Sequence, residues 1–358
     1  MTLVFKNISY YFLVKIYLKV IYDIINYSVI ISRGLFLDIY SSYKNCMLCP
    51  NHCGVDRTNN ILGLCNESDK VRVAFSGLHR GEEPPVTGKN GSGMIFFSGC
   101  PLHCQYCQNY QISGGSGIRD DNVGVEVSIE ELSKMMLELE KMGANNINLV
   151  TPTHFIPSIV LAIQGARDQG LSLAIVYNTS GYDDIEALKL IDEYIDLYLI
   201  DLKTLDREVA SKFCGRKAYA SEIIKVFDFL VSKHPKFEIL DELTTPKGLL
   251  VRHLVFPNEL KATFKVLDYY AKHLKDNCYL SLMVQFIDPK ESKTFEKISE
   301  SDYNLLIDYL DLLEIEDGFV QELSDNVDWI PNFKLDKPFP DDFCDPLQYY
   351  INIKNNRI

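Results

Sequence analysis

The sequence predicts an α/β fold built around a parallel sheet. Short β-rich segments alternate with helical patterns along the 358 residues, which is typical of strands joined through helices. The candidate strands are 94–98, 147–151, 172–177, 197–200, 248–256 and 279–286. Because 47% of the residues are hydrophobic, the chain can bury a large core, and an α/β barrel commonly takes about 200 to 250 residues as one domain.

Helical patterns separate these strands. They cover residues 128–142, 156–169, 185–193, 219–232 and 260–275. The first begins at Ser128, followed by Glu130 and Glu131, and this order is typical of an N-cap with acidic residues in the first turn. Beyond residue 290, an acidic helical segment at 301–315 leads into a tail rich in Pro and Asp.

The charge balance argues against a nucleic-acid partner. The chain has 36 Lys and Arg against 49 Asp and Glu, a net charge of −13, whereas a nucleic-acid backbone needs cationic neutralisation. Within the first 44 residues, charged side chains such as Lys15 and Asp23 interrupt the apolar sequence, so no run reaches the roughly 18 residues of a membrane span. We expect an added amphipathic helix, no membrane span and a cytoplasmic protein with reduced thiols, although organellar targeting stays an alternative.

Three cysteines in one short loop are the most informative feature. Cys100, Cys104 and Cys107 follow the first predicted strand with the spacing Cys-x3-Cys-x2-Cys. A [4Fe-4S] cluster normally takes a thiolate on each iron, so three ligands leave one iron open to another molecule. A zinc site or a group of buried thiols is the alternative, but structural zinc sites usually have four protein ligands. The spacing therefore favours an iron–sulfur cluster with an open position.

The loop resembles the signature of the radical S-adenosylmethionine (SAM) superfamily, in which SAM binds the open iron. Tyr106 stands where the superfamily usually has an aromatic residue beside the SAM adenine. Segments 85–88, 91–99, 108–113, 148–154, 177–182 and 251–255 resemble the pyruvate formate-lyase activating enzyme-like branch. The resemblance covers about residues 45 to 290. It implies a partial (β/α)6 TIM-like barrel with an N-terminal helical and cysteine-rich extension, and a [4Fe-4S] cluster and SAM as cofactors.

The resemblance also implies SAM-binding residues at later strand ends, where α/β barrels gather their sites. They are Thr151, Thr153, Asn178, Thr179, Asp201 and Arg252, together with Tyr106. The segments of Thr179 and Asp201 resemble a monovalent-cation site beside the SAM carboxylate, which suits oxygen donors. Strand alternation sends Arg252 and His253 to opposite faces, and an inward Arg252 can bind a carboxylate of SAM or substrate or form a structural ion pair.

A second cysteine group precedes the first. Cys46, Cys49, Cys53 and Cys65 include the run Cys-x2-Cys-Pro-x2-Cys-Gly-Val-x-Arg, which resembles the N-terminal module of the same branch. Four thiolates suit zinc or a fully ligated iron–sulfur cluster, and the spacing does not choose between them. Buried thiols without metal are the alternative, and we expect His52 to face solvent.

Four segments and one main function are expected. The segments are an N-terminal helical extension at 1–45, a cysteine-rich module at 46–85, a radical SAM core at 86–290 and a C-terminal helical cover and tail at 291–358. The stretch from Trp329 to Phe343 is expected to cover the open side of the barrel.

The resemblance implies an oxidoreductase that reductively cleaves SAM to a 5′-deoxyadenosyl radical. As an activating enzyme-like protein, it would abstract hydrogen from a glycine of a glycyl-radical-type partner, with flavodoxin or ferredoxin as electron donor. Radical modification of another peptide or a small molecule is one alternative. A non-catalytic iron–sulfur protein, for electron transfer or as a scaffold, is the other.

Overall fold

The computed structural model describes residues 39–114, 123–239, 244–287, 298–323, 330–340 and 342–357. The chain divides into two compact units, Met1–Ser42 and Tyr43–Ile358. Of the helical extension expected at 1–45, only residues 39–45 lie within the described residues. No helix within the described ranges is long and apolar enough to cross a membrane. The second unit contains the sheet and the candidate site.

The strands described in the second unit form one open sheet of ten. They are β1 (Val71–His79), β2 (Ser92–Phe97), β3 (Val125–Val127), β4 (Ile147–Val150), β5 (Ile175–Thr179), β6 (Leu197–Asp201), β7 (Gly248–Leu254), β8 (Cys278–Met283), β9 (Gly318–Val320) and β10 (Cys344–Pro346). Their order is β10-β1-β2-β4-β5-β6-β7-β8-β9, and β3 pairs with β1. The pairs from β2 to β9 are parallel. The predicted α/β fold with a partial, unclosed barrel is confirmed.

The described helices lie between consecutive strands or after the last strand. They are α1 (Pro84–Thr87), α2 (Tyr110–Ser113), α3 (Ile129–Lys141), α4 (Ile156–Asp168), α5 (Ile185–Ile191), α6 (Arg207–Cys214), α7 (Tyr219–Val231), α8 (Leu260–His273), α9 (Glu300–Leu312) and α10 (Gln348–Arg357). Ser128 caps α3 in a capping box with Glu131, which satisfies backbone N–H groups that the first turn leaves unpaired. Leu132, Met136 and Leu139 recur at helical spacing and are buried, so one face of α3 packs on the sheet.

Strand β1 has no counterpart among the predicted strands. It lies within the segment expected to be a cysteine-rich module and pairs antiparallel with β2, β3 and β10. Eight of its nine residues are buried, and only Arg72 is partly exposed. Because both of its faces are covered, β1 lacks the alternation of polar and apolar residues that marks a half-exposed strand. The predicted domain boundaries at 85 and 290 stay predictions.

The described part of the C-terminal tail packs on the same sheet. The ring centroids of Phe333 and Phe339 lie 5.4 Å and 5.6 Å from that of Phe96 in β2. Strand β10 then pairs with the end of β1. Residues 330–340 therefore cover apolar side chains of β1 and β2, while Trp329 lies outside the described residues.

Candidate active site

A cavity of about 510 Å³ lies at the C-terminal ends of the parallel strands. Each strand from β2 to β8 along the parallel part of the sheet contributes to its wall or is followed by a segment that does. The polar or sulfur-bearing lining residues include Cys100, Cys104, Cys107, Thr151, Asn178, Thr179, Asp201, Lys203, Arg252, Ser281 and Gln285. The parallel topology thus brings together side chains from across the chain at the edge where α/β barrels usually place their sites.

The loop of residues 99–107, the cluster loop, leaves β2 through a backbone turn that needs glycine. Gly99 has φ +83°, and a Cβ there would lie 2.7 Å from the carbonyl oxygen of Cys65. Any side chain would therefore be strained and would clash with backbone. The turn sends the chain across the end of the sheet, so that Cys100, Cys104 and Cys107 all reach the same cavity.

Hydrogen-bond donors point at the cluster-loop sulfurs. The Leu102 amide donates to Cys100 Sγ at 3.5 Å, and the Ser113 hydroxyl donates to Cys107 Sγ at 3.2 Å. Burial, with a smaller contribution from the neighbouring thiols, raises the pKa of Cys100 to about 12. The thiols therefore stay protonated without metal, and metal binding must release their protons. The donors stabilise the thiolate form that a metal binds.

The three thiols fit a [4Fe-4S] cluster by their shared cavity wall, their number and the donors aimed at them. Within the described ranges, no three Cys, His, Asp or Glu side chains are arranged to hold a single metal ion. Cys214, buried at the end of α6, interacts with Cys104. The local sequence of Cys214 does not indicate this contact, because Cys214 lies more than 100 positions after the cluster loop.

Tyr106 forms an aromatic wall of the cavity. Its ring centroid lies 4.9 Å from that of Phe256 and 5.7 Å from that of Phe286. The ammonium group of Lys203 lies 5.7 Å from the Tyr106 centroid. A flat apolar surface beside the cysteines is suited to a planar ligand ring, so the location agrees with the adenine contact that the resemblance implies.

Asp201 and Lys203 form an ion pair in the cavity wall. Lys203 Nζ lies 2.7 Å from Asp201 Oδ2, and the two side chains are 12% and 29% exposed. Burial is the largest effect and opposes the charged form of Lys203, but the Asp201 carboxylate and other neighbouring groups together outweigh it and raise the pKa of Lys203 well above its usual value. A fixed pair of opposite charges at this point can orient a zwitterionic ligand.

Arg252 faces the cavity, but two glutamates already hold it. Its Nε donates to Glu83 Oε1 at 2.8 Å, and its Nη2 donates to Glu82 Oε2 at 2.5 Å and to Glu83 Oε2. The structural ion pair that the sequence left as an alternative is thus present. No partner of Nη1 occurs among the described residues, so this group stays available to a ligand. The sequence did not indicate the two glutamates as partners of Arg252, because they follow β1, a strand that was not predicted.

Thr153 requires a correction. Its hydroxyl donates to Asp183 Oδ1 at 2.6 Å, and Thr153 is buried outside the cavity lining. The prediction that Thr153 contacts SAM is therefore not supported. Thr179 lines the cavity, yet its hydroxyl also donates to Asp183, with 2.6 Å to Oδ2, and Tyr177 donates to Oδ1 at 2.8 Å.

Asp183 lies outside the cavity lining and accepts hydrogen bonds from residues at the ends of β4 and β5. Burial outweighs the three hydroxyl bonds and raises the pKa of Asp183 above its usual value. The carboxyl group ties together residues from two strands, so it positions the backbone that carries Thr151 and Asn178. Sequence reasoning missed Asp183, although three hydroxyl residues precede it on the neighbouring strand ends.

Two buried histidines, His154 and His253, do not line the cavity. His154 Nε2 contacts the carbonyl oxygen of Ser98 at 2.7 Å. His253 lies on the opposite side of β7 from Arg252, with Nδ1 2.7 Å from the Leu202 carbonyl and Nε2 3.1 Å from Thr263 Oγ1. Because a carbonyl only accepts, Nδ1 carries the proton and Nε2 accepts from Thr263.

Replacing His253 by asparagine should make the free energy of unfolding less sensitive to acid. Burial lowers the pKa of His253 from 6.5 to about 4. Above pH 6.5 the ring is neutral in both states. As the pH falls from 6.5 to 4, the unfolded chain takes up a proton that the folded protein resists, and stability falls by about 3 kcal/mol. Urea unfolding of apoprotein between pH 7 and 4 should therefore show a steeper loss in the wild type than in His253→Asn.

The comparisons with known proteins agree with this site. Residues 94–255 match the model of the Radical SAM superfamily. An uncharacterized protein of Methanocaldococcus jannaschii is 28% identical over 261 residues, which cover 72% of this chain and 70% of that protein. The pyruvate formate-lyase-activating enzyme of Clostridium pasteurianum is 28% identical over 130 residues, covering 34% of this chain and 49% of that enzyme.

Two solved structures show more distant similarity. SuiB of Streptococcus suis bound to S-adenosylmethionine has a TM-score of 0.45 and 12% identity, covering 62% of this chain and 48% of SuiB. A domain of pyruvate-formate lyase-activating enzyme from Bacteroides vulgatus has a TM-score of 0.34 and 15% identity, covering 47% of this chain and 91% of the domain. The chain thus spans about half the length of SuiB.

The cavity and the cluster loop agree with the family match: this chain contains a radical SAM domain over residues 94–255. The cofactors implied by that domain are a [4Fe-4S] cluster and SAM.

Proposed function

We propose that this protein is a radical SAM oxidoreductase that abstracts a hydrogen atom from a glycine residue of a partner protein. The observation that carries the proposal is the convergence of the cluster loop, the Asp201–Lys203 pair and Arg252 on one cavity. An electron carrier needs its cluster but not a charged cavity beside it. The similarity to an activating enzyme over a third of the chain supports a protein substrate.

The residues of the cavity then divide into two groups. Cys100, Cys104 and Cys107 hold the cluster, which when bound supplies the electron that cleaves SAM to a 5′-deoxyadenosyl radical. Tyr106 offers its ring to the adenine. Lys203, beside Asp201, can hold the SAM carboxylate through a charge-assisted hydrogen bond.

Other polar groups complete the SAM contacts. The Thr151 and Asn178 side chains line the cavity and can bind the SAM amino group. Arg252 Nη1 is placed for a carboxylate of SAM or substrate. The monovalent cation near Thr179 and Asp201, and flavodoxin or ferredoxin as electron donor, stay predictions.

Apolar side chains close the remaining wall of the cavity. Met94, Phe96 and Phe339 are among its lining residues. A radical must be shielded from solvent and from side reactions, and apolar walls exclude water from the reacting atoms. The C-terminal tail contributes Phe339, so this segment takes part in shielding.

The test is anaerobic incubation of cluster-loaded protein with SAM and dithionite. We expect 5′-deoxyadenosine, identified by chromatography and mass spectrometry. A second reaction also contains pyruvate formate-lyase, because the Clostridium relative is a pyruvate formate-lyase-activating enzyme. This substrate protein is prepared with glycine deuterated at Cα. Deuterium transfer into 5′-deoxyadenosine and a glycyl-radical signal in electron paramagnetic resonance are expected.

The two reactions separate the parts of the proposal. Absence of 5′-deoxyadenosine from loaded protein would contradict SAM cleavage and favour a non-catalytic iron–sulfur protein. Formation of 5′-deoxyadenosine without deuterium transfer would instead reject this glycyl-radical substrate and favour another peptide or a small molecule.

A further inference from the structure

We infer that Cys46, Cys49, Cys53 and Cys65 form a second, four-thiolate metal centre, which the buried Arg57 neutralises and which is hydrogen-bonded to the cluster loop. Zinc and a [4Fe-4S] cluster share this ligand chemistry, but no three Cys, His, Asp or Glu side chains of the described residues are arranged to hold a single ion. The centre is therefore assigned to a [4Fe-4S] cluster, whose four irons each take one thiolate. The inference does not depend on SAM cleavage, because none of these residues lines the cavity.

The four thiols converge although they are spread over 20 positions of the sequence. Cys49 interacts electrostatically with the other three. Gly63 lies between two of them: a Cβ there would be 3.2 Å from Cys65 Sγ and 3.6 Å from Cys53 Sγ. The missing side chain therefore leaves room next to both sulfurs.

Backbone geometry fixes this convergence locally. The Cys46 amide donates to the Val55 carbonyl at 3.1 Å, and the Gly54 amide returns a bond to the Cys46 carbonyl at 3.0 Å. His52 and Gly54 have φ +40° and +65°, which turns the chain tightly enough to bring Cys53 back to Cys46.

Backbone N–H groups also reach the sulfurs. The Asn51 amide bonds to Cys49, and the Glu67 amide bonds to Cys65. Such bonds favour the thiolate, the form that binds a metal. The cluster loop has the same feature at Cys100 and Cys107.

The buried charge of Arg57 is the strongest argument for metal. The Arg57 side chain is fully buried, and Arg57 donates to the Ser68 carbonyl from Nε at 3.1 Å and to the His154 carbonyl from Nη1 at 2.6 Å. Nη1 also lies 3.8 Å from Cys46 Sγ. No carboxylate forms an ion pair with Arg57 among the described residues.

A guanidinium cannot lose its proton in a protein, and an uncompensated buried charge is strongly destabilising. With neutral thiols, the partners that contact the guanidinium would be carbonyl oxygens and aromatic rings, with no carboxylate of the described residues in ion-pair contact. Four thiolates around a [4Fe-4S] core keep a net negative charge beside the guanidinium. Tyr43 and Phe155, whose ring centroids lie 4.7 Å and 5.5 Å from the guanidinium carbon, stabilise the cation only in part.

His52 does not belong to the ligand set. Its Nε2 lies 2.8 Å from Asp184 Oδ2, and its side chain is 43% exposed. The four cysteines therefore complete the centre by themselves.

Hydrogen bonds join this centre to the cluster loop. The Cys100 amide donates to the carbonyl of Cys65 at 3.3 Å, and His103 Nε2 lies 2.6 Å from the Leu64 carbonyl. The Asn51 side chain donates to the Pro101 carbonyl at 2.8 Å. Metal at the four cysteines thus fixes the segment on which the cluster loop rests.

The first test uses the variant Cys100→Ala/Cys104→Ala/Cys107→Ala, which lacks the catalytic ligands and isolates the second centre. Zinc, iron and acid-labile sulfide are measured in anaerobically purified protein. We expect about four irons with acid-labile sulfide per chain; about one zinc per chain instead would contradict the assignment to a cluster. A folded variant with neither metal would overturn the inference and support buried thiols.

The second test asks whether the charge of Arg57 matters. In the same background, Arg57→Lys keeps the charge and Arg57→Gln keeps only polarity. Competition with a chelator should show metal affinity about ten- to a hundredfold lower in Arg57→Gln than in Arg57→Lys. Arg167→Leu is the control, because Arg167 donates to the Leu171 carbonyl and contacts no thiol.

Circular dichroism of the metal-loaded variants checks that each is folded. Equal metal affinity in Arg57→Lys and Arg57→Gln would contradict the charge argument. Because neither test uses SAM, failure here is distinct from failure of the proposed function.

Discussion

Replacing Cys100, Cys104 or Cys107 singly by alanine should abolish 5′-deoxyadenosine formation and remove the catalytic cluster. Each thiol supplies one of only three protein ligands, so loss of one leaves two irons without protein ligation. The measurements are anaerobic product analysis, visible absorbance and iron content. We expect each variant to lose about four irons per chain relative to the wild type, whatever the second cysteine group binds.

Cys278→Ala is the matched control. Cys278 is a buried, free cysteine in β8 and does not line the cavity, so its loss should leave iron content and product formation unchanged. A cluster-loop variant that retained both the iron and SAM cleavage would refute the assignment of the cluster to these three thiols.

The parallel part of the sheet could be predicted because its signal is local. Buried parallel strands appear as short apolar runs, and the helices between them show helical spacing and caps. Strand β1 was not predicted, for two reasons. It is antiparallel and stands outside the βα repeat, and its run from Val71 to His79 follows a cysteine-rich segment that suggested an irregular module.

The site was predictable where its chemistry lies within a few residues of sequence. The spacing of Cys100, Cys104 and Cys107 indicated the cluster without any tertiary information. Contacts across the fold were not accessible in the same way. Arg252 and Glu83 are 169 positions apart, and nothing in either local sequence identifies the other as its partner.

The same limit explains Thr153. Its position after a strand predicted an exposed hydroxyl at the cavity, but 30 positions later Asp183 provides a buried acceptor. A buried carboxyl group needs hydrogen bonds, and three nearby hydroxyls supply them. The need of the buried Asp183 carboxyl group for hydrogen bonds therefore explains why the hydroxyl groups of Thr153 and Thr179 point to it.

Arg252→Ala should be strongly destabilising. The change leaves Glu82 and Glu83, whose side chains are each only 8% exposed, without their cation. Removing one member of a buried ion pair typically costs about 3–5 kcal/mol, because the remaining charge is uncompensated. Urea unfolding at pH 7, at equal iron content, measures this loss.

The triple variant Glu82→Gln/Glu83→Gln/Arg252→Met separates the ion pair from ligand binding. It replaces all three charges by neutral side chains of similar size, so most of the stability lost in Arg252→Ala should return. If the triple variant is as unstable as Arg252→Ala, the loss comes from packing and not from unpaired carboxylates.

Because the triple variant should fold, SAM affinity can be measured in it by anaerobic calorimetry. A contact from Arg252 Nη1 to a SAM carboxylate predicts affinity about ten- to a hundredfold below the wild type, with the iron content unchanged, since Arg252 is not a cluster ligand. Unchanged SAM affinity would show that the glutamates hold Arg252 for structure or for a substrate carboxylate. The SAM carboxylate would then be left to Lys203, which Asp201 holds on the same cavity wall.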